Sequence, residues 1–236
     1  EEIGDKSGIA YSVNNIGLIY NNQGNVPKAL EFFLRSLKIQ EELDDKRGIA
    51  LSLSNIAHVY QSQGDMTKSL EYSLRSLKIR EEMGDKHGVA YSLNNIAFFY
   101  KNNSDFSKAL DYYQKSLKIQ EEINDKNGIG VSLNNIGQAY ENQGDIDKAM
   151  EYYNKSLPVK EEIGDKLGIA FSLNNIGNIY QKQNNSNKAI DYLQKSLTIS
   201  REIGSPETMR FASKNLFEIY KKTGNTKLAL QYYELY

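Results

Sequence analysis

Apolar residues recur at helical spacing in two stretches of every forty-residue segment of this chain. Because successive residues of an α-helix are about 100° apart, each set falls on one side of a helix and leaves the other side polar. The pattern predicts two amphipathic helices per segment that pack through these stripes. In the first segment the stripes are Ile9, Val13, Ile16 and Tyr20, followed by Ala29, Leu30, Phe33 and Leu37.

The stretch of residues 12–20 returns every forty residues through the whole chain. Similar copies end at Tyr60, Tyr100, Tyr140 and Tyr180, and a diverged copy ends at Tyr220. A constant period of this size without insertions indicates a stacked array of repeats rather than one globular core. The sequence therefore predicts an all-α protein built from repeated helix pairs.

Residues typical of helix ends mark both helices of each pair. Asp5 and Asn25 precede the two helices, and a short polar side chain at such a position caps free amide groups. Gly84, Gly164 and Gly204 close the second helix, with Asp44 at the same place in the first repeat, and these residue types accept the left-handed backbone that ends a helix. We therefore expect a first helix up to about Asn22 and a second from about Asn25.

These signals divide the chain into one array of six repeats. We expect residues 1–4 to be the tail of a preceding helix, because they match the helix end at residues 41–44, and we expect the last repeat to be truncated. The repeat boundaries are about 5–44, 45–84, 85–124, 125–164, 165–204 and 205–236.

The repeated signature Asn-Asn-Ile-Gly-x-x-Tyr, followed by Gln-Gly-Asn and Lys-Ala-Leu-Glu, resembles the tetratricopeptide repeat. The likeness covers the whole chain and is to the lengthened form of the repeat seen in Pins-like scaffolds and kinesin light chains. It implies a right-handed α-solenoid superhelix whose first helices line a concave groove for a peptide or protein partner. The array also resembles the sensor regions of bacterial signalling proteins, which precede an output domain.

One face of the predicted first helices carries amides and aromatic rings. These residues lie roughly opposite the packing stripe, where no core requires them, and exposed aromatics among amides are typical of binding surfaces. The candidate groove residues are Asn15, Asn55, Asn95, Asn135, Asn175 and Asn215, the neighbouring Asn14, Asn94, Asn134 and Asn174, and the rings of Tyr11, Tyr91, Phe98, Phe171 and Phe211.

An asparagine amide can pair with both the carbonyl and the N–H of a peptide bond, so a row of them suits an extended chain. Packed helices lie about 8–10 Å apart and a strand rises about 3.3 Å per residue, so successive repeats would meet about every third ligand residue. The same amides could instead bond neighbouring helices and fix the stack. Both interpretations are open at this point.

Composition narrows the function further. The 29 basic and 30 acidic residues nearly cancel, which argues against a nucleic-acid surface, and no apolar run reaches the roughly 20 residues of a membrane helix. There is no Cys, and the two His residues stand apart without a nucleophile or metal-ligand cluster. We expect a non-catalytic, cytoplasmic scaffold without metal or cofactor, and with neither nucleic acid nor membrane as its partner.

The last repeat departs from the others in one respect. Leu228 and Leu235 replace the recurring basic residues of the second helix and lie seven residues apart on one face. Such an apolar stripe predicts a cover, either a following segment or a second copy of the chain. The alternative function is therefore structural self-association without a separate ligand.

Overall fold

The computed structural model describes residues 5–235, and this part of the chain is helical without a strand. The prediction of an all-α protein built from repeated helix pairs is confirmed. The helices are α1 (Lys6–Asn22), α2 (Val26–Glu42), α3 (Lys46–Ser62), α4 (Met66–Glu82), α5 (Lys86–Asn102), α6 (Phe106–Glu122), α7 (Lys126–Gln143), α8 (Ile146–Glu162), α9 (Lys166–Lys182), α10 (Ser186–Glu202), α11 (Pro206–Lys222) and α12 (Thr226–Tyr233).

The predicted capping residues stand at the helix ends. The Asp5 side chain accepts a hydrogen bond from the N–H of Gly8 at 2.9 Å, and Asn25 accepts one from Lys28 at 3.4 Å. Gly84 and even the non-glycine Asp44 adopt positive φ angles, of 67° and 52°. The exception is Ser205 before α11, whose side chain makes no capping bond.

Two interactions recur inside the helix pairs. Tyr20 of α1 stacks on Phe32 of α2 with ring centroids 5.4 Å apart, and each later repeat has an equivalent stacked pair. The buried hydroxyl of Ser36 donates to the carbonyl oxygen of Ala10 at 2.8 Å, a bond that returns at the next four serines of this position. The two helices of a pair are thus held together by contacts between them.

Within residues 5–123 and within residues 124–235, successive pairs pack through the predicted apolar stripes. Ile56 of α3 is fully buried in a cluster with Phe33 and Leu37 of α2. The stripe predicted on α1 is only partly buried, because Ile9 and Ile16 are exposed while Val13 is not. The reason is that no helix pair precedes α1 among the described residues.

The described residues form two compact units that divide between Ile123 and Asn124. Unit 1 contains α1 to α6 and unit 2 contains α7 to α12, three helix pairs each. The single six-repeat array stays a prediction. The expected helix tail at residues 1–4 lies outside the described residues, as does Tyr236.

The end of unit 2 shows where Leu228 and Leu235 lie. Both are half-buried and pack against a core cluster that includes Leu197 and Leu216. This packing covers part of the apolar stripe predicted at Leu228 and Leu235. The exposed apolar side chains of α12 are instead Leu230 and Tyr233.

Candidate functional site

The faces of the first helices divide their asparagines into two classes. The second residue of each Asn-Asn pair is exposed at Asn15 and half-buried at the equivalent positions from Asn55 to Asn215. The first residue is buried at Asn14, Asn134 and Asn174. The difference follows from the helical turn of about 100° per residue, which brings the first residue toward the next repeat.

The buried asparagines bond to neighbouring repeats. The Asn14 Oδ1 accepts from the Nδ2 of Asn55 at 2.8 Å, and the Asn134 Oδ1 accepts from the Nδ2 of Asn175 at 3.0 Å. Asn174 donates to the carbonyl of Thr208 at 3.3 Å. Amides of this class therefore take part in stacking the repeats, as the second interpretation of the sequence requires.

In unit 1 the candidate residues are spread along the first helices and differ in their exposure. Tyr91 is exposed, whereas Tyr11 is half-buried and its hydroxyl donates to the Asp45 Oδ2 at 3.0 Å. Burial and this carboxylate raise the pKa of Tyr11. Asn94 donates to the buried Ser116 Oγ at 2.9 Å, and Lys101 lies over the ring of Phe98. Asn95 is half-buried beside Asn94.

In unit 2 the structure brings five of the predicted residues together in one place. A pocket of about 430 Å³ lies between the first helices of successive repeats. We call its lining the amide-aromatic surface. It consists of Gln138, Phe171, Asn174, Asn175, Asn178, Glu207, Phe211, Lys214 and Asn215.

A second pocket of about 440 Å³ continues this surface through Asn178 and Asn215. It adds the basic side chains of Lys182 and Lys222 together with the amide of Asn184. Lys222 donates to the Asn184 Oδ1 at 2.8 Å. Of the predicted groove residues in unit 2, Asn135 is half-buried on α7 and does not line either pocket.

The largely buried carboxylate of Glu141 accepts several hydrogen bonds at one side of this region. The Glu141 Oε1 accepts from Asn178 at 2.8 Å and from the Lys182 Nζ at 2.6 Å, while its Oε2 accepts from the Tyr153 hydroxyl at 2.7 Å. Burial and the nearby carboxylate raise the pKa of Tyr153 far above its usual value, so that its hydroxyl stays a donor. Glu141 thus orients Asn178 at the edge of the amide-aromatic surface.

The chain matches the sequence profile of the tetratricopeptide repeat along almost its whole length. Successive matches cover residues 8–82, 48–122, 88–162, 128–202 and 168–235. The chain belongs to the tetratricopeptide repeat family. No curated protein matches it in sequence.

Several solved structures share this tetratricopeptide repeat fold. BtubC from P. vanneervenii is 22% identical, with 85% of this chain and 83% of that chain covered at a TM-score of 0.74. A Rap protein complexed with competence and sporulation factor is 18% identical, with coverage of 96% and 63% and a TM-score of 0.79. At such identities the likeness is one of fold.

A third similar structure belongs to a larger protein. It is a Signal Transduction ATPase with Numerous Domains with a tetratricopeptide repeat sensor, from Pyrococcus horikoshii. Identity is 18%, and the match covers 99% of this chain but 38% of that one at a TM-score of 0.80.

The described residues 5–235 contain no group of three or more His, Asp and Glu side chains placed to hold a metal ion. None of their helices combines the length and the apolar character needed to span a membrane.

Sequence reasoning missed the roles of several residues. The amide of Asn178 and the cross-helix bond of Ser36 were not singled out, and the hydrogen bonds of the Glu141 carboxylate were not foreseen. For Ser36 a signal existed, since serine returns at this position in five repeats although it is not favoured inside a helix. For Glu141 and Asn178 there was none, because they differ from their counterparts in the other repeats.

Proposed function

We propose that this protein is a non-catalytic scaffold that holds an extended peptide or a segment of a protein partner on its first-helix faces. The amide-aromatic surface of unit 2 is the place where we expect the main contacts. The observation that carries the proposal is the exposed ring of Phe211 beside the half-buried amide of Asn215 in an open pocket. Aromatic anchors next to amides supply both contact area and backbone hydrogen bonds.

The asparagines contribute to this function in two ways. The Asn175 Nδ2 donates to the Asn134 Oδ1. The Asn175 Oδ1 can still accept a hydrogen bond from a ligand N–H. Asn215 lies in both pockets of unit 2 and so touches the whole surface. Ligand binding and repeat stacking are therefore compatible within the same row of amides.

Two comparisons support a role in signalling. The Rap protein with a similar fold was solved in complex with competence and sporulation factor, so this fold can accommodate a bound factor. The Pyrococcus horikoshii protein uses its tetratricopeptide repeats as a sensor. We propose by analogy that this chain is the sensor or interaction region of a larger signalling protein.

The surface predicts the effect of two substitutions on peptide binding. Peptides selected from a random linear library against the wild-type protein should bind at least about 10-fold more weakly to Phe211→Ala and Asn215→Ala, a loss of about 1.4 kcal/mol or more. Fluorescence polarisation with a labelled peptide measures the change. Circular dichroism melting curves show whether each variant keeps its fold.

Matched controls are available on the second helices. Leu34 is 42% exposed on α2, close to the 46% of Phe211, and Asn154 is exposed on α8. Leu34→Ala and Asn154→Ala should leave peptide binding unchanged. Equal losses in the controls, or selected peptides that ignore Phe211 and Asn215, would show that the surface is not the binding site.

Self-association is the second candidate function. It is favoured by Leu230 and Tyr233, which are 59% and 57% exposed and line an open pocket with Phe217. Light scattering should report a dimer or larger species at micromolar concentration that Leu230→Glu converts to a monomer. A wild-type monomer across the accessible concentration range rules this function out.

A further inference from the structure

A pocket in unit 1 concentrates basic groups that lie far apart in the sequence. Its volume is about 370 Å³, and it is open between the first turns of α3 and α5. We call it the Arg80 pocket. Its lining is Tyr11, Arg47, Ala50, Leu51, Arg80, Met83, Asp85 and His87.

The basic groups of this pocket are not part of the repeating pattern. At the repeat position of Arg47 and His87, the other repeats have Ser7, Asn127, Leu167 and Glu207. At the position of Arg80 they have Gln40, Gln120, Lys160 and Ser200. Because uncharged residues such as Asn127 and Gln120 serve these positions in other repeats, the fold does not require a cation at either position.

The guanidinium of Arg80 is largely buried and only partly paired. Its side chain is 12% exposed. Its Nε donates to the Ser76 Oγ at 3.1 Å and its Nη2 to the Ser54 Oγ at 3.2 Å. The remaining Nη1 is 3.8 Å from the Asp85 Oδ2, which is beyond hydrogen-bonding distance. Burial is the main cause that lowers the pKa of Arg80.

The two carboxylates near the pocket are engaged at helix ends. The Asp85 Oδ1 accepts from the N–H of Gly88 at 3.0 Å. The Asp45 Oδ1 accepts from the N–H of Gly48 at 3.0 Å, and its Oδ2 accepts from the Tyr11 hydroxyl. Each therefore caps a helix, and the helix N-terminus offsets part of its negative charge. Among the described residues, the Arg80 Nη1 therefore has an ion-pair partner in Asp85 at 3.8 Å but no acceptor within hydrogen-bonding distance.

We propose that the Arg80 pocket binds an oxyanion, a carboxylate or phosphate group, between the guanidinium of Arg47 and the Nη1 of Arg80. Guanidinium groups bind planar oxyanions through paired, charge-assisted hydrogen bonds, which are stronger when the cation is partly desolvated. His87 also lines the pocket. This site lies in unit 1 and does not depend on peptide binding at the amide-aromatic surface.

Titration of the folded protein with inorganic phosphate and with acetate tests the proposal. NMR signals of the arginine Nε–H groups are followed while chloride keeps the ionic strength constant. We expect a saturable shift with at least one anion, and binding weakened at least about 5-fold in Arg47→Gln and in Arg80→Gln, equivalent to about 1 kcal/mol. A preference for acetate or for phosphate identifies which group the natural ligand carries.

Arg75→Gln is the matched control, because Arg75 is an exposed arginine of α4 that pairs with Glu41 at 3.5 Å outside the pocket. It should bind the anions as the wild type does. Linear, unsaturable shifts with both anions overturn the proposal, and so does equal weakening in Arg75→Gln. If Arg80→Gln does not fold, anion binding by Arg47→Gln still tests the proposal, because Arg47 is exposed.

Discussion

Replacing Lys160 with glutamine should stabilise the protein by about 2–3 kcal/mol at pH 7. Lys160 is buried at the junction of α8 and α9, where its Nζ donates to the Gly168 carbonyl at 3.2 Å and to the Ser172 Oγ at 3.1 Å. Desolvation lowers its pKa from 10.5 to about 8, and Asp165 opposes this shift only in part. A pKa difference of this size means that the folded environment disfavours the charged form of Lys160 by about 3 kcal/mol.

Glutamine fits this position in other repeats. Gln40 is fully buried, and its Oε1 accepts from the Ser52 Oγ at 2.7 Å. Ser172 is the counterpart of Ser52, so it can donate to a glutamine at position 160 in the same way. The substitution removes the buried charge and leaves the serine with a partner.

The gain should depend on pH in a defined direction. Between about pH 8 and 10.5 the unfolded chain binds more protons at Lys160 than the folded chain does, so the unfolding free energy of the wild type rises with pH. The advantage of Lys160→Gln should therefore be complete below pH 8 and decline as the pH approaches 10.5. Urea unfolding of both proteins at several pH values measures this difference. The two proteins contain the same tyrosines, so the effect of tyrosine titration on stability cancels in the comparison.

Lys155→Gln on the same helix is the control for charge removal. Lys155 is exposed and pairs with Glu151 at 2.5 Å, so its loss should change stability by less than about 0.5 kcal/mol at any pH. If Lys160→Gln has the same stability as the wild type throughout, Lys160 is not the buried charge that its contacts indicate.

Truncating Ile176 to alanine should destabilise the protein by about 3 kcal/mol, whereas the same change at Ile16 should cost less than about 1 kcal/mol. The two residues occupy the same repeat position. Ile176 is fully buried in a cluster with Ala149, Tyr153 and Ile179, whereas Ile16 is 38% exposed. A buried isoleucine leaves a cavity that its neighbours fill only partly.

Thermal and urea unfolding of Ile176→Ala and Ile16→Ala measure the two costs in a matched pair. Since each repeat contacts only its neighbours, the loss at Ile176 should also increase hydrogen exchange most in α8 to α10. Equal costs at the two positions would mean that the α1 face is covered in solution. That outcome would favour self-association through this end of the chain.

The secondary structure could be predicted nearly to the residue, and the reason is local. A helix boundary depends on a capping side chain, such as Asp5, and on a residue that tolerates the left-handed backbone, such as Gly84. Both signals lie within a few residues of the boundary. The same local signals return every forty residues, so the boundaries of one helix pair predict those of the others.

The site could be predicted only in part, because its contacts join residues from different repeats. Asn14 and Asn15 are adjacent and chemically identical, yet the first bonds Asn55 and the second is exposed. The Arg80 pocket joins Arg47, Arg80 and His87 across two repeats. A sequence does not display such distances, and the same holds for Leu228 and Leu235, which the structure packs against a core cluster.

Contacts within each helix pair hold its two helices together, and this has an evolutionary consequence. Since the tyrosine stack and the serine-to-carbonyl bond lie within one pair, a mutation of an outward residue leaves the folding contacts of the next pair intact. Duplicated segments can therefore diverge one at a time, as the second repeat has at Arg47 and the third at His87. A change in ligand preference can then follow from substitutions in a few repeats while the others keep their residues.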